Sequence, residues 1–382
     1  MRVLISAGEA SGENYGALLI PELRKILGDH TKFFGVGGER MRAAGCEIVV
    51  DSKTVAVLGI TEVIKHIPRI YREFFRMVSA ARRQRPDVAV LIDFPDFNLR
   101  LAERLHRMGV PVVYFVSPQL WAWKKRRIRR VQRYVDRMLV IFPFEESYYR
   151  ERGVEAEYVG HPLSDLPLPQ VSREELSRRF GVDIRKHWIA LLPGSRRKEV
   201  LLNLPTILEA AARLGSGYEF LLPVATTLSQ EWINEQLKHS RVPIHLLEDA
   251  RVALQHARAS VVASGTATVE AALIGNPFVV IYRMSRLSYA IGRRFVKLKN
   301  YAMVNLIAGR EIVPELIQSS FTAENVASAV QKLVLDSSER EAMITNLKEV
   351  RERLHLTANN RGETAIARAA AGVAAAVRAR DQ

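Results

Sequence analysis

The stretch LIDFPDFN, residues 91–98, closes a strand-forming run (Val88, Ala89, Val90, Leu91, Ile92) with two carboxylates, Asp93 and Asp96, then an asparagine, Asn98. Acids at the end of a buried strand need a destination. In an open parallel sheet that destination is the crevice outside the carboxyl ends of the strands, where ligands bind. The run therefore raises two questions: whether the chain builds such a sheet, and what the acids face there.

Outward from this stretch, strands alternate with helical patterns. RVLISA (2–7), FFGVGG (33–38), VPVVYFV (110–116) and RMLVIFP (137–143) are further apolar runs, each separated from the next by amphipathic sequence. Beyond a proline-bearing linker at 163–172 the alternation resumes with WIALLPG (188–194), YEFLLPV (218–224), PIHLL (243–247), ASVVASG (259–265) and PFVVIYR (277–283). Alternating strands and helices predict parallel sheets covered on both faces. The fold class is α/β: two doubly wound, Rossmann-like domains, with a ligand cleft expected between them. The helical tail from about 339 to 382, alanine-rich at its end, is expected to pack back across the first domain.

A net charge of +15 favours anionic partners: nucleic acid, an anionic membrane surface or phosphorylated substrates. A single cysteine, Cys46, fits a reducing cytoplasmic location. The first residues, MRVLISAGEASGE, lack a secretory apolar stretch, and no apolar run is long enough to span a membrane. The nine histidines show no metal-ligand spacing, so neither a metal nor a cofactor is expected.

Several strand-to-helix turns carry chemistry. Asp96 and Asp93 are candidate acid–base groups, although Asp is also a favoured helix N-cap, and Asn98 is either a cap or a substrate contact. In LLPGSRRKEV (191–200), Gly194 admits close backbone approach, Ser195 and the following helix start offer N–H groups to phosphate, and Arg196 or Arg197 supplies a forked contact. In VVASGTATVEAAL, Ser264, Gly265, Thr266 and Thr268 build a second anion site, and Glu270 suits the vicinal hydroxyls of a ribose. Together these describe a nucleoside diphosphate. SAGEASGE (6–13) turns Glu9, Ser11 and Glu13 toward the same cleft, for hydroxyl recognition or helix capping. His161 reads as structural.

Two segments read either as ordinary surface and core, a solvated basic face and a buried apolar one, or as contacts for lipid or a phosphorylated acceptor. KKRRIRRVQRYVDR (124–137) holds eight basic residues and one acid; Ile128, Val131, Val135 and Met138 at helical spacing make it an amphipathic helix with a basic face. SPQLWAW before it adds Trp121 and Trp123. In residues 55–78, one apolar face (Ile60, Val63, Ile64, Ile67, Tyr71, Phe74, Phe75, Val78) is supplemented by Val57 and Leu58, suggesting an acyl-chain or membrane patch, with Pro68 expected to end or kink the helix.

AGEASG, DFPDFN, SPQLWAW, VGHPL, LLPGSR, SGTATVEAAL and NLIAGREIVPELIQ (305–318) occur in the order found in the lipid-A-disaccharide synthase family, which the chain resembles over most of its length. The resemblance implies a GT-B glycosyltransferase that is inverting and metal-free. It implies that a diacylglucosamine unit passes from UDP-2,3-diacylglucosamine to 2,3-diacylglucosamine 1-phosphate, giving a β-1,6 disaccharide and UDP. Residues 1–165 would then bind the acceptor at the membrane, completed by the helices from about 339 to 382, and residues 172–338 would bind the UDP-sugar. Asp96 would be the general base, needing partial burial to raise its pKa, with Asp93 or Asn98 holding geometry. Asn305, Glu311 and Gln318 would contact donor sugar or uridine. The location implied is cytoplasmic, peripheral on the inner face of the inner membrane, and tail exchange would permit a homodimer. Glu13 stands where the family pattern has Asp, and Val304 where it has Pro. The rival readings are a sugar-nucleotide 2-epimerase, a peptidoglycan-precursor N-acetylglucosaminyltransferase and a nucleic-acid-binding protein; the last lacks any supporting motif.

Overall fold

A computed structural model describes residues 1–55, 60–121, 127–284, 300–355 and 363–379, with backbone alone for 60–67. The chain divides into two compact units: residues 1–165 with 354–382, and residues 166–353.

The first unit holds seven strands: β1 (Arg2–Ala7), β2 (Lys32–Gly37), β3 (Cys46–Asp51), β4 (Val88–Ile92), β5 (Val112–Phe115), β6 (Arg137–Val140) and β7 (Ala156–Tyr158). All are parallel, in the order β3-β2-β1-β4-β5-β6-β7. Strand order reverses between β1 and β4. This switch point opens a crevice at their carboxyl ends, and two of the acid-bearing turns, SAGEASGE and DFPDFN, flank it. β4 (VAVLI) is apolar at every position and wholly buried, as expected where helices cover both faces. The core beneath the β4 turn includes Leu4, Phe74, Leu91, Phe97 and Tyr114. Burying a side chain such as Phe74 stabilises by roughly 1.5–3 kcal/mol.

The second unit holds six parallel strands, β8 (His187–Leu192), β9 (Tyr218–Pro223), β10 (Ile244–Leu247), β11 (Ala259–Ala263), β12 (Phe278–Tyr282) and β13 (Glu315–Ile317), ordered β10-β9-β8-β11-β12-β13. Its switch point lies between β8 and β11, so the PGSRRKE and SGTATVE turns flank it as a pair.

Three strands escape the hydrophobic pattern. β3 alternates weakly (CEIVVD), and β7 and β13 are three-residue edge strands carrying glutamates. Among the described residues of the basic segment the α-helix is short, Ile128–Tyr134. The expected continuation through Val135 and Met138 is corrected, because the chain turns extended at Val135 to feed Met138 into β6. The helix Ile60–Gln84 runs through Pro68 rather than ending there, and Pro68 is exposed. The tail divides as well. Helix Ser338–Leu354 belongs to the second unit, not the first as expected from about 339 onward. Met343, Leu347 and Val350 put an apolar stripe on that unit, and the Met343 sulfur accepts from the Phe278 N–H at 3.3 Å. Helix Ala365–Arg378 does return to the first unit, where Gly372 lets it approach so closely that a Cβ would lie 2.8 Å from Leu139.

Candidate active site

The turn after β4 is held in a costly conformation. Asp93 (φ 46°) and Phe94 (φ 50°) are both left-handed, as is Val116 (φ 62°) at the end of neighbouring β5. Each such residue costs on the order of 1–3 kcal/mol, and such strain persists only where surroundings over-determine it. Here they do. Asn98 Nδ2 donates to the carbonyls of Asp93 (2.8 Å), Ile92 (3.2 Å) and Ser6 (3.2 Å), while Asn98 Oδ1 accepts from the Ser6 hydroxyl at 2.6 Å. The Tyr114 hydroxyl donates to the Asp93 carbonyl at 2.6 Å; burial pushes this phenol well above its ordinary range and keeps it a donor. The Phe94 ring stacks on Phe97 and covers Gly8, where a Cβ would sit 2.3 Å from it.

This scaffold projects Asp96 from the first turn of helix Pro95–His106. The N-cap position is Phe94, so neither aspartate is the cap. The expected partial burial of Asp96 is corrected: its side chain is 67% exposed and ion-paired with Arg127, because the first turn emerges from the sheet toward solvent. Asn98 is fully buried with its amide committed to the turn, so it positions the loop. Sequence reasoning had left Arg127 as one cation among eight; its spatial nearness to Asp96, 31 residues apart, has no local signal.

At the end of β1, Glu9 occupies the N-cap position of helix Ala10–Leu27 and its carbonyl accepts from Glu13 N at 2.8 Å. Ser11 is partly exposed. The Glu13 carboxylate accepts from the Arg40 N–H at 2.9 Å, and Gly38 makes room for it, a Cβ there lying 2.5 Å from Oε2. Glu13 thus secures the neighbouring helix start, in line with the capping alternative of the sequence reading.

In the second unit the two turns at the switch point differ. After β8, Glu199 folds back: Oε2 accepts from the N–H groups of Ser195 (3.0 Å) and Arg196 (3.3 Å), and Oε1 from the Arg196 guanidinium (3.3 Å). A Cβ on Gly194 (φ 124°) would lie 2.6 Å from Glu199 Oε2. The expectation that these N–H groups await phosphate, with Gly194 admitting the ligand, is therefore corrected: the glycine accommodates a carboxylate of the chain itself. Arg197 lies over the Trp232 ring, and both arginines remain exposed.

After β11 the corresponding turn is open. Helix Thr266–Ile274 begins after Gly265 with no side-chain cap, and Gly265 and Thr266 are exposed, Ser264 partly so. Thr268 is fully buried; its hydroxyl donates to the Gly265 carbonyl at 2.7 Å and so shapes the turn. Glu270 is half-buried and makes no hydrogen bond among the described residues. Desolvation pushes its carboxyl up to about 6 against the opposing pull of Arg251.

The late-motif residues resolve unevenly. Asn305 is fully buried, donating to the Val313 carbonyl and Glu315 Oε1 and accepting from the Ile312 and Val313 N–H groups. Gln318, left-handed at φ 52°, clasps the Met284 backbone through both amide atoms. Both therefore fix loops at the ends of β12 and β13. Glu311 is exposed. Of the apolar candidates, Val57, Leu58 and Trp123 lie outside the described residues. Ile60, Val63, Ile64 and Ile67 sit on helix Ile60–Gln84, whose side chains there are also outside them. Trp121 is partly exposed, its indole donating to Glu145 Oε1 at 3.1 Å.

Two doubly wound parallel sheets, each with its chemistry-bearing turns at a switch point, define the class of GT-B glycosyltransferases. Solved structures share this fold: the calicheamicin glycosyltransferase CalG4 (TM-score 0.61, 17% identity, 99% of this chain and 98% of that one) and the UDP-GlcNAc 2-epimerase of Neisseria meningitidis (TM-score 0.60, 12% identity, 99% and 100%). Residues 3–369 match the family described as lipid-A-disaccharide synthetase. Lipid-A-disaccharide synthases of Koribacter versatilis (55% identity, 100% of both chains), Acidobacterium capsulatum (55%, 96% of this chain and 94% of that one) and Myxococcus xanthus (44%, 97% and 96%) are similar along their length. The chain belongs to the lipid-A-disaccharide synthase family, glycosyltransferases of lipid A biosynthesis. The epimerase reading, supported by fold alone, gives way to this.

Proposed function

We propose that the chain joins UDP-2,3-diacylglucosamine to 2,3-diacylglucosamine 1-phosphate in one inverting displacement, with Asp96 as the general base. Asp96 takes the proton of the acceptor 6-hydroxyl as that oxygen attacks the anomeric carbon; the bond to UDP breaks and UDP leaves. The observation that carries the reading is the strained, cross-braced turn at the β1/β4 switch point, which fixes the backbone while leaving the Asp96 carboxylate accessible. Asp93 contributes the rigid frame beside it. Glu9 and Ser11 are proposed to line the acceptor side.

The nucleotide's pyrophosphate is proposed to sit at Ser264, Gly265 and Thr266, where open N–H groups and the positive helix end favour anions, with Arg196 and Arg197 as nearby cations of the same unit. Glu270 then accepts the ribose hydroxyls. An anionic membrane surface is the proposed setting, on the cytoplasmic side. Tyr71 (45% exposed) and Phe75 (51% exposed) stand out from helix Ile60–Gln84 beside Arg72 and Arg76, an aromatic and cationic pairing suited to a lipid headgroup layer. No helix among the described residues is long and apolar enough to cross a membrane. A homodimer through exchange of the tail helix is proposed with it, and sedimentation in detergent tests that.

Turnover with both acylated substrates, following UDP and disaccharide together, is the test. Equimolar products are expected, and Asp96→Asn should lower kcat by about 10²–10⁴-fold with UDP affinity unchanged. Near-normal turnover in Asp96→Asn would remove Asp96 as base.

A further inference from the structure

The Asp96 loop has a buried neighbour that the sequence reading passed over. β5 lies beside β4, and the Asp93 N–H donates to the Phe115 carbonyl at 3.1 Å. The chain then turns at left-handed Val116, whose N–H donates to the Leu139 carbonyl at 3.1 Å, into Ser117–Trp121, which leaves the sheet one strand over from the Asp93–Asp96 turn. It rests on helix Pro143–Arg150. The Ser117 and Tyr149 hydroxyls are 2.9 Å apart, Tyr149 donates to the Pro118 carbonyl at 3.2 Å, and Trp121 packs edge-on against Phe144. At the centre is Glu145, 1% exposed. Its Oε1 accepts from the Trp121 indole N–H at 3.1 Å and its Oε2 from the Phe142 N–H at 3.3 Å.

We infer that Glu145 is a positioning residue for transfer: its carboxylate, by accepting from Trp121 and Phe142 at once, holds the Ser117–Trp121 loop against the Asp93–Asp96 turn, and protonation releases that hold. This deepens the proposed function and rests on it, because the loop matters for turnover only if the Asp96 turn is the reactive one. The chemistry is a count of acceptors. Ionised, both oxygens accept. Protonated, one oxygen becomes a donor and confronts an N–H that is also a donor.

Burial pushes the Glu145 carboxyl up to about 7, with hydrogen bonds from Trp121, Ser117 and the backbone pulling the other way. The titratable groups that face it are Tyr149 on its own helix and Tyr158 on β7, phenols that burial pushes up and keeps neutral. The folded state therefore holds a proton that the unfolded chain releases between the ordinary carboxylate range and about pH 7. Stability from this group is present at low pH and is withdrawn as pH rises through that window. Function and stability pull in opposite directions at one side chain.

Glu145→Gln tests this, since glutamine copies the protonated group with one acceptor and one donor. The wild type should show kcat/KM rising through an ionisation near pH 7. Glu145→Gln should lack that limb and sit about ten- to a hundredfold lower at pH 8, while its Tm at pH 8 equals or exceeds that of the wild type. Trp121→Phe, which deletes the indole donor and keeps a ring, should likewise lower kcat/KM at pH 8. Without substrate, the Trp121 contribution to fluorescence, taken as wild type minus Trp121→Phe, should titrate near pH 7 and stop doing so in Glu145→Gln. A Glu145→Gln enzyme with the wild-type limb and level overturns the inference, as does one that loses Tm and activity equally at every pH. If the fluorescence titration holds while Asp96→Asn stays active, the clamp survives and the Asp96 reading is what fails. A titration missing from the wild-type protein sinks the clamp itself.

Discussion

Two turns of the second unit look interchangeable in sequence. PGSRRKE and SGTATVE each leave a central strand through a glycine, and each has a glutamate five residues after it: Gly194 to Glu199, Gly265 to Glu270. The structure makes them opposites. Glu199 stands at the third position of its helix, where a carboxylate reaches back to the turn's own N–H groups. Thr268 holds that position in the other helix and binds a carbonyl instead, so the N–H groups stay open and Glu270, two residues further, is left without a hydrogen-bond partner among the described residues. One turn carries its own anion; the other leaves its N–H groups without one among the described residues. A shift in where the acid falls relative to the helix start decides between them.

The largest effect expected from breaking this contrast is at Gly194. Gly194→Ala forces a Cβ onto Glu199 at a left-handed φ, and should cost roughly 3 kcal/mol, read as a lower Tm with the fold kept at low temperature. Next is Glu270→Gln, which should weaken UDP binding by roughly 1.5–3 kcal/mol, measured by calorimetry. In the wild type that binding should weaken as pH falls through about 6, where the raised carboxyl takes its proton, and in Glu270→Gln the pH dependence should vanish. Glu199→Ala sharpens the comparison from the other side. It should cost about 1 kcal/mol of stability and create inorganic-phosphate binding at Ser195 and Arg196, detectable as amide shifts by NMR. Thr268→Val is the smallest, about 0.5–1 kcal/mol in Tm, with a modest loss of UDP affinity as the Gly265 turn relaxes.

The architecture was readable because both sheets are buried on two faces, so their central strands are unbroken apolar runs. Edge strands β7 and β13 were not: three residues with one face in water carry no such run. Site legibility followed the same logic. Residues proposed to act from a strand end or near a helix start, such as Asp96, Gly265, Thr266 and Glu270, stand out by local position. Whether a polar side chain faces ligand or the wall is a matter of what lies across the fold. Asn98 meets Ser6 and Asn305 meets Val313, and neither partner is implied by periodicity. Glu145 was overlooked because a glutamate in the first turn of a helix has an ordinary explanation in the helix dipole; only its burial against Trp121 marks it out. One sign was available, the Phe-Pro-Phe-Glu step straight out of β6, which points that first turn inward.

The return of helix Ala365–Arg378 to the first unit has a consequence for how the chain is made. Residues 166–353 are contiguous and can complete their sheet as soon as they emerge from the ribosome. The first unit, although synthesised earlier, lacks the helix that covers Leu19, Leu139 and the β4 region until the last residues arrive, when Arg368 reaches the Val159 carbonyl at 2.7 Å and Ala365 N–H reaches Asp165 at 2.6 Å. The half of the protein that begins first is finished last. A stop codon just before Ala365 would therefore spare the second unit and leave the first with an uncovered apolar face, exposed to chaperones and proteases.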